Sequence, residues 1–194
     1  MITTVNKVVI RHEDGTYGKT YDRVGEFHNG YAEVRLNGKC GFIDEKGEEI
    51  CLIKYDNVWT FKNGVAIVKT GNKTGLINEK GEEIISQKYD DILKLTDGYY
   101  AVRFEDKVGV INEQGEEVIS PKYDEIYDAG DGFFKSKLNN KYGVLNEKGE
   151  EIVSPKYDYI YDFGEGIAKV RLNGKYGIVN GKGEEIVPPV PTNN

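Results

Sequence analysis

The chain is poor in the residues that staple, ligate or anchor many small proteins. Its 194 residues include two cysteines, two histidines, one tryptophan, one methionine and five prolines. Cys40 and Cys51 fall in one segment whose counterparts elsewhere lack cysteine, so a disulfide framework is excluded and two semi-buried free thiols are expected. His12 and His28 have no second ligand at metal-site spacing, so both are placed on the surface and neither a metal nor a cofactor is expected. No run approaches the ~18 apolar residues of a membrane helix, and residues 1–10 lack the charged start and apolar core of a signal peptide. A cytoplasmic protein without membrane contact is expected. A net charge of −7 argues against general nucleic-acid binding, because phosphate contacts need clustered positive charge. Helices are also excluded. No window keeps apolar residues at i, i+3, i+4, and the 24 glycines recur about every eight residues, too often for three helical turns.

What the chain has instead is a period. Lys39-Cys40-Gly41, Lys73-Thr74-Gly75, Lys107-Val108-Gly109, Lys141-Tyr142-Gly143 and Lys175-Tyr176-Gly177 stand 34 residues apart. Gly47, Gly81, Gly115, Gly149 and Gly183, each followed by Glu-Glu, keep the same spacing, as do four Lys-Tyr-Asp triplets ending in Asp56, Asp90, Asp124 and Asp158. Thr20-Tyr21-Asp22 is a worn earlier member, and the segment from Lys7 through Ile10 to Gly15 fits a degenerate hairpin of the same kind. Such self-similarity specifies a repeat architecture with atypical ends. One domain over 1–194 is expected, with a capping repeat at 1–30, five 34-residue repeats at 31–187 and a cap and tail at 188–194.

Each repeat reads as a meander of four short strands. Asn37-Gly38 and Asn173-Gly174 between apolar runs suit two-residue type I′ hairpins, and Asn78-Glu79-Lys80-Gly81 suits a three-residue hairpin with a bulge. In the first strand Ala32/Val34/Leu36 and their counterparts alternate, so one face is buried. The second and third carry adjacent apolar pairs such as Leu76-Ile77 and Ile84-Ile85, so both their faces should meet protein. Copies and partial copies add up to twenty-two strands. The fold expected is all-β, propeller-like with five to six small blades; an open twisted β-solenoid, capped by Pro188-Pro189-Val190-Pro191, is the alternative.

Over residues 30–190 the cycle Lys-x-Gly, apolar, Ile, Asn/Asp-Glu-Lys-Gly-Glu-Glu, two apolar residues, Pro-Lys-Tyr-Asp resembles the WG-repeat (KWG) family of bacterial proteins. The resemblance implies a β-rich, propeller-like module that mediates binding, with no common catalytic activity. The Trp that defines the family is replaced in all five copies, and the single Trp59 lies in the fourth strand of its repeat.

No chemistry rides on these motifs. Gly-x-Ser-x-Gly and Cys-His constellations are lacking, Gly71-Asn72-Lys73-Thr74-Gly75 is a hairpin rather than a phosphate loop, and Asp128 to Gly132 lacks the distal Glu of a calcium loop. The Glu-Glu pairs are expected to serve solubility and edge protection, and the Asp of Lys-Tyr-Asp to cap a turn. A non-enzyme is expected.

Two sets of residues could bind. Arg35, Lys69, Arg103, Lys137 and Arg171 place one cation per repeat on the polar side of the first strand. They could hold a small anionic ligand, as a ring if that strand lines an axis or as a stripe if the array is open; pairing with repeat carboxylates such as Glu33 is the alternative. Trp59, Tyr99, Tyr127, Phe133 and Tyr161 are candidate protein-binding residues, because aromatics give large contact area at small entropy cost; packing between repeats is the alternative. The expected function is a monomeric, non-catalytic protein-recognition module, an adaptor or inhibitor. A binder of a small anionic ligand or glycan is the alternative.

Overall fold

The computed structural model describes residues 8–11 and 13–190. Lys7 and His12, and with them part of the expected N-terminal hairpin, lie outside the described residues, as does Pro191. Among the described residues there are 21 strands and no helix. The chain divides into two compact units, Met1–Ile92 and Leu93–Asn194.

In the first unit β1 (Val8–Arg11) pairs with β2 (Tyr17–Tyr21), and β3 (Arg23–His28), β4 (Tyr31–Leu36) and β5 (Lys39–Asp44) make a three-stranded sheet. A four-stranded sheet follows, β6 (Asn57–Val58), β7 (Val65–Thr70), β8 (Lys73–Asn78) and β9 (Glu83–Tyr89). The second unit holds three more four-stranded sheets: β10 (Asp91–Thr96) to β11 (Tyr99–Phe104), β12 (Lys107–Asn112) and β13 (Glu117–Tyr123); β14 (Glu125–Asp128) to β15 (Phe133–Leu138), β16 (Lys141–Asn146) and β17 (Glu151–Tyr157); and β18 (Tyr159–Ile160) to β19 (Ile167–Leu172), β20 (Lys175–Asn180) and β21 (Glu185–Val190). Every pairing is antiparallel between sequence neighbours, the meander of a propeller blade.

Three expectations need correction. The sheet does not coincide with the repeat: the chain leaves one sheet at Tyr123 and enters the next at Glu125, so each sheet takes its first strand from the end of the preceding repeat. The first strand of the repeat is therefore interior, as β11 is between β10 and β12, and cannot line an axis as an innermost strand. Among the described residues there are 21 strands rather than 22, because residues 50–54 make no strand and their neighbours Glu49 and Tyr55 make only isolated bridges to Ile43 and Cys40. At the C-terminal end, residues 188–190 belong to β21, and Pro188 and Pro189 are tolerated there because β21 is an edge strand.

The hairpins follow the turn chemistry. Asn37 and Gly38 have φ of 52° and 77°, and Asn173 and Gly174 have 50° and 76°, as type I′ requires. Asn78 Oδ1 accepts the Lys80 and Glu82 amides at 3.0 and 2.9 Å, closing the longer turn. The second strand of the first four repeats is buried on both faces, as in Thr74 to Ile77, whereas in the last, β20, Tyr176 and Ile178 are only partly covered. The third strand is an edge with a bulge, and this bulge explains the Gly of Lys-x-Gly. In β12 and β13, Val110 faces Ile119 and Val108 faces Tyr123, so four residues cross opposite two. The bulge folds onto Gly109, where a Cβ would lie 2.4 Å from the Ile119 carbonyl oxygen.

Polar clamps join successive copies. Asp124 accepts Lys107 Nζ of its own copy at 2.6 Å and, through its other oxygen, the Asn139 amide in the next copy's hairpin at 2.8 Å. Asp158 does the same with Lys141 and the Asn173 amide. The Tyr123 and Tyr157 hydroxyls donate to Glu151 and Glu185 of the following copies at 3.0 and 2.6 Å, and Lys156 also reaches Glu185 at 2.9 Å. The second Glu of Gly-Glu-Glu is thus an acceptor between copies, beyond the solubility role expected of it. Burial of each such tyrosine and the facing glutamate push its hydroxyl pKa well up.

Apolar layers complete the joints. Cys40, Phe42 and Tyr55 pack with Val58, Phe61, Ala66, Val68 and Ile77, and Val144, Val153 and Tyr157 with Ala168, Val170 and Val179. Within the second unit the sheet of β14 to β17 presents one face to its predecessor and the other to its successor. Cys40 is fully buried and Cys51 half-buried, both free; burial pushes both thiols up.

Gly109→Ala should cost about 2–3 kcal/mol in urea unfolding, since backbone rather than a flexible side chain must move; a loss below about 0.5 kcal/mol would contradict the close approach. The clamps also predict a pH response. The lysine partner and the amide lower the pKa of Asp124 and Asp158, and Tyr157 and Lys156 lower that of Glu185. These groups ionise more readily folded than unfolded, so their stabilisation is complete above their ordinary values of 3.8 and 4.5 and is lost as pH falls through the lowered folded values. Thermal unfolding followed by circular dichroism should give a flat Tm above about pH 5 and a fall below about pH 4, and Asp124→Asn should make that fall shallower.

Candidate functional site

Each of the five cations stands opposite the middle residue of Lys-x-Gly on its sheet. Arg35 faces Cys40 and Lys69 faces Thr74; in the second unit Arg103 faces Val108, Lys137 faces Tyr142 and Arg171 faces Tyr176. Two are neutralised locally. Arg35 Nε donates to Glu33 at 2.7 Å, and Lys137 Nζ to Glu125 at 3.1 Å. Among the described residues, Lys69, Arg103 and Arg171 make no ion pair.

The aromatic candidates also separate. Tyr99 packs edge-on against Phe134 with ring centroids 5.3 Å apart, and Phe133 stacks on Phe163 at 4.4 Å. Both are partly buried and pack between copies. Trp59, Tyr127 and Tyr161 remain about 40% exposed, at 44%, 40% and 39%.

Tyr127 and Tyr161 belong to a larger aromatic and cationic surface in the second unit that the sequence reading did not assemble. Tyr142 meets Tyr159 edge-on at 5.4 Å, and Tyr159 meets Tyr161 at 4.9 Å. Lys135 reaches over Tyr127 and Tyr159, Lys137 over Tyr142, and Lys169 over Tyr161 and, at 4.0 Å, Tyr176. Ring faces attract such cations. Two columns held the signal. The middle residue of Lys-x-Gly becomes Tyr only at Tyr142 and Tyr176, and the series Glu33, Ile67, Ala101 becomes Lys135 and Lys169. A periodic reading that sought residues constant in every copy passed over both changes.

The last sheet is where this surface is most open. Phe133, Val144 and Val153 pack against the sheet that follows them. Their counterparts one period on, Ile167, Ile178 and Val187, face outward, with Ile167 41% and Val187 42% exposed. With Lys169, Tyr176 and Gly177 they line a hollow of about 330 Å³. Lys169 makes no ion pair among the described residues, nor does Arg171, which stands opposite Tyr176. Lys135, by contrast, is buried by the succeeding sheet and pairs with Asp162 at 3.0 Å.

No group of three His, Cys, Asp or Glu side chains among the described residues could hold a metal ion, and no helix is long and apolar enough to cross a membrane. Repeated meanders, shared clamps and shared apolar layers define a tandem β-repeat protein. Its sequence matches the profile of the WG-containing repeat over residues 19–40, 41–73, 75–107, 109–142 and 142–176. The chain belongs to the WG-repeat family. A search of curated proteins found no significant match. Similar solved structures include Kluyveromyces marxianus Hsv2, with 10% identity and TM-score 0.42 over 92% of this chain and 67% of that one. A eukaryotic initiation factor gives 10% identity and TM-score 0.46 over 84% and 52%. The extracellular domain of a putative one component system from B. thetaiotaomicron gives 12% and 0.37 over 88% and 32%. At these values the likenesses lend nothing to the functional reading.

Lys135 tests whether this cation is structural. Asp162→Ala should cost about 1–3 kcal/mol by leaving a buried ammonium with rings alone, whereas Lys135→Met should cost less, because it removes the charge together with its need. Chemical unfolding of both variants gives the comparison.

Proposed function

We propose that this protein is a non-catalytic recognition module, an adaptor or inhibitor, that grips a partner protein with the outward face of its last sheet. One observation carries the reading: Ile167, Ile178 and Val187 occupy positions that the preceding copy covers with a following sheet, yet among the described residues Ile167 and Val187 are exposed and Ile178 is only partly covered. Burying apolar surface of this kind supplies most of the driving force for protein association. The amphipathic rings of Tyr161 and Tyr176 give contact area at small entropy cost. Lys169 and Arg171 select for a partner that brings carboxylates along with apolar side chains.

A photo-crosslinking residue at Ile167 should capture a single partner from the native host, while the same residue at exposed Tyr17 should not. Lys169→Glu with Arg171→Glu should weaken the isolated complex by at least about tenfold and remove its salt dependence. Equal capture at both positions, or a complex indifferent to the charge reversal, would sink the reading.

A further inference from the structure

The first copy carries a second hollow, independent of the last sheet and formed by the loss of one side chain. Trp59, Leu93, Tyr127 and Tyr161 are one column, a large residue at every copy. The first member of that column is Gly25, in β3. The backbone does not require glycine there. Its φ is not in the left-handed region, and an added Cβ would come no nearer than 3.4 Å to the Glu33 carbonyl oxygen, an ordinary contact. This sets Gly25 apart from Gly109, where a Cβ cannot fit. What Gly25 contributes is space. Between the three-stranded sheet and the sheet that follows it lies a hollow of about 370 Å³, within the range of small-molecule sites.

Its lining combines an apolar floor with polar walls. Phe42 and Val58 are buried beneath it, Tyr31 stands beside it with its ring against Phe61, and Arg23, His28 and Glu33 surround it. Two carboxylates, Glu26 and Glu33, and two arginines, Arg23 and Arg35, stand at this hollow, and they are not all paired. Arg23 lies directly across from Arg35, and like charges in that position repel. Glu33 is engaged by Arg35 Nε, and Glu26, whose side chain is 92% exposed, stands out in solvent 4.0 Å from His28. Arg23 itself makes no ion pair among the described residues.

From this geometry we infer that the hollow binds a small aromatic anion, an aryl carboxylate. The ring occupies the volume that the other copies fill with their own large side chain, and the carboxylate accepts hydrogen bonds from the Arg23 guanidinium. The ring brings the shape the column lacks, and the carboxylate brings a counter-charge to Arg23.

The test uses the whole chain and three probes: phenylacetate, the neutral ring analogue toluene and the ringless acid acetate. Titration followed by NMR should show saturable shifts at Tyr31 and Val58 with phenylacetate, weaker ones with toluene and none with acetate. Gly25→Tyr completes the column and should abolish the response to both ring compounds while the protein keeps or raises its Tm. Arg23→Ala should weaken phenylacetate by roughly tenfold, toward toluene. No saturable response to phenylacetate, or one that survives Gly25→Tyr in a folded variant, overturns the site. Equal affinity for phenylacetate and toluene in the parent chain overturns the assignment of an anion.

Discussion

A single carboxylate at the seam between sheets organises this protein. The Asp of Lys-Tyr-Asp sits where the chain has finished one sheet and has not yet begun the next, and its two oxygens face in different directions. Asp124 gives one oxygen to Lys107 behind it and the other to the Asn139 amide ahead. The lysine that begins Lys-x-Gly is thereby tied to the end of its own sheet, while the tip of the next hairpin is held in register. Charge-assisted bonds of this kind are directional, so they set where the next sheet must start. The Tyr before the Asp then buries its ring in the joint and hands its hydroxyl to the following Glu.

Once the seam is set, a sheet packed between two others within a unit has a face toward its predecessor and a face toward its successor. The interior joints bury both, with small or β-branched residues such as Ala168 and Val170 meeting Val144 and Val153. Residues on the successor-facing side carry two unrelated loads: apolar ones near the middle strands make the joint, and the cations and Lys-x-Gly middle residues stand beside them. Where a joint is full, the cation is absorbed, as Lys135 is by Asp162 and two rings. Where that face is open among the described residues, as at Ile167 and Val187, or a column loses its side chain as at Gly25, the same positions become available to something else. Variation between copies is thus confined to places the clamps do not use.

Much of this was legible in the sequence. The period, the type I′ hairpins with Asn37-Gly38 and Asn173-Gly174, the strand class, the family and the turn-capping Asp all follow from local rules, because turn geometry and side-chain alternation act over a few residues. The separation of Tyr99 and Phe133 from Trp59, Tyr127 and Tyr161 was not legible. All five are aromatic and periodic, and only the neighbouring sheet determines which ring finds Phe134 or Phe163 to pack against. The meaning of Gly109 was half visible: its regularity marked close packing, but the carbonyl that approaches it belongs to a bulge ten residues away in the chain.

By itself, then, the sequence determined the repeated unit, its strands and turns, and the residues common to every copy, since each of these depends on contacts within one period. Tertiary structure decided which strand begins a sheet, which cations are already neutralised, and which members of each column are covered. Those outcomes depend on the sheet packed alongside, and a residue's own copy carries no record of what its neighbour supplies.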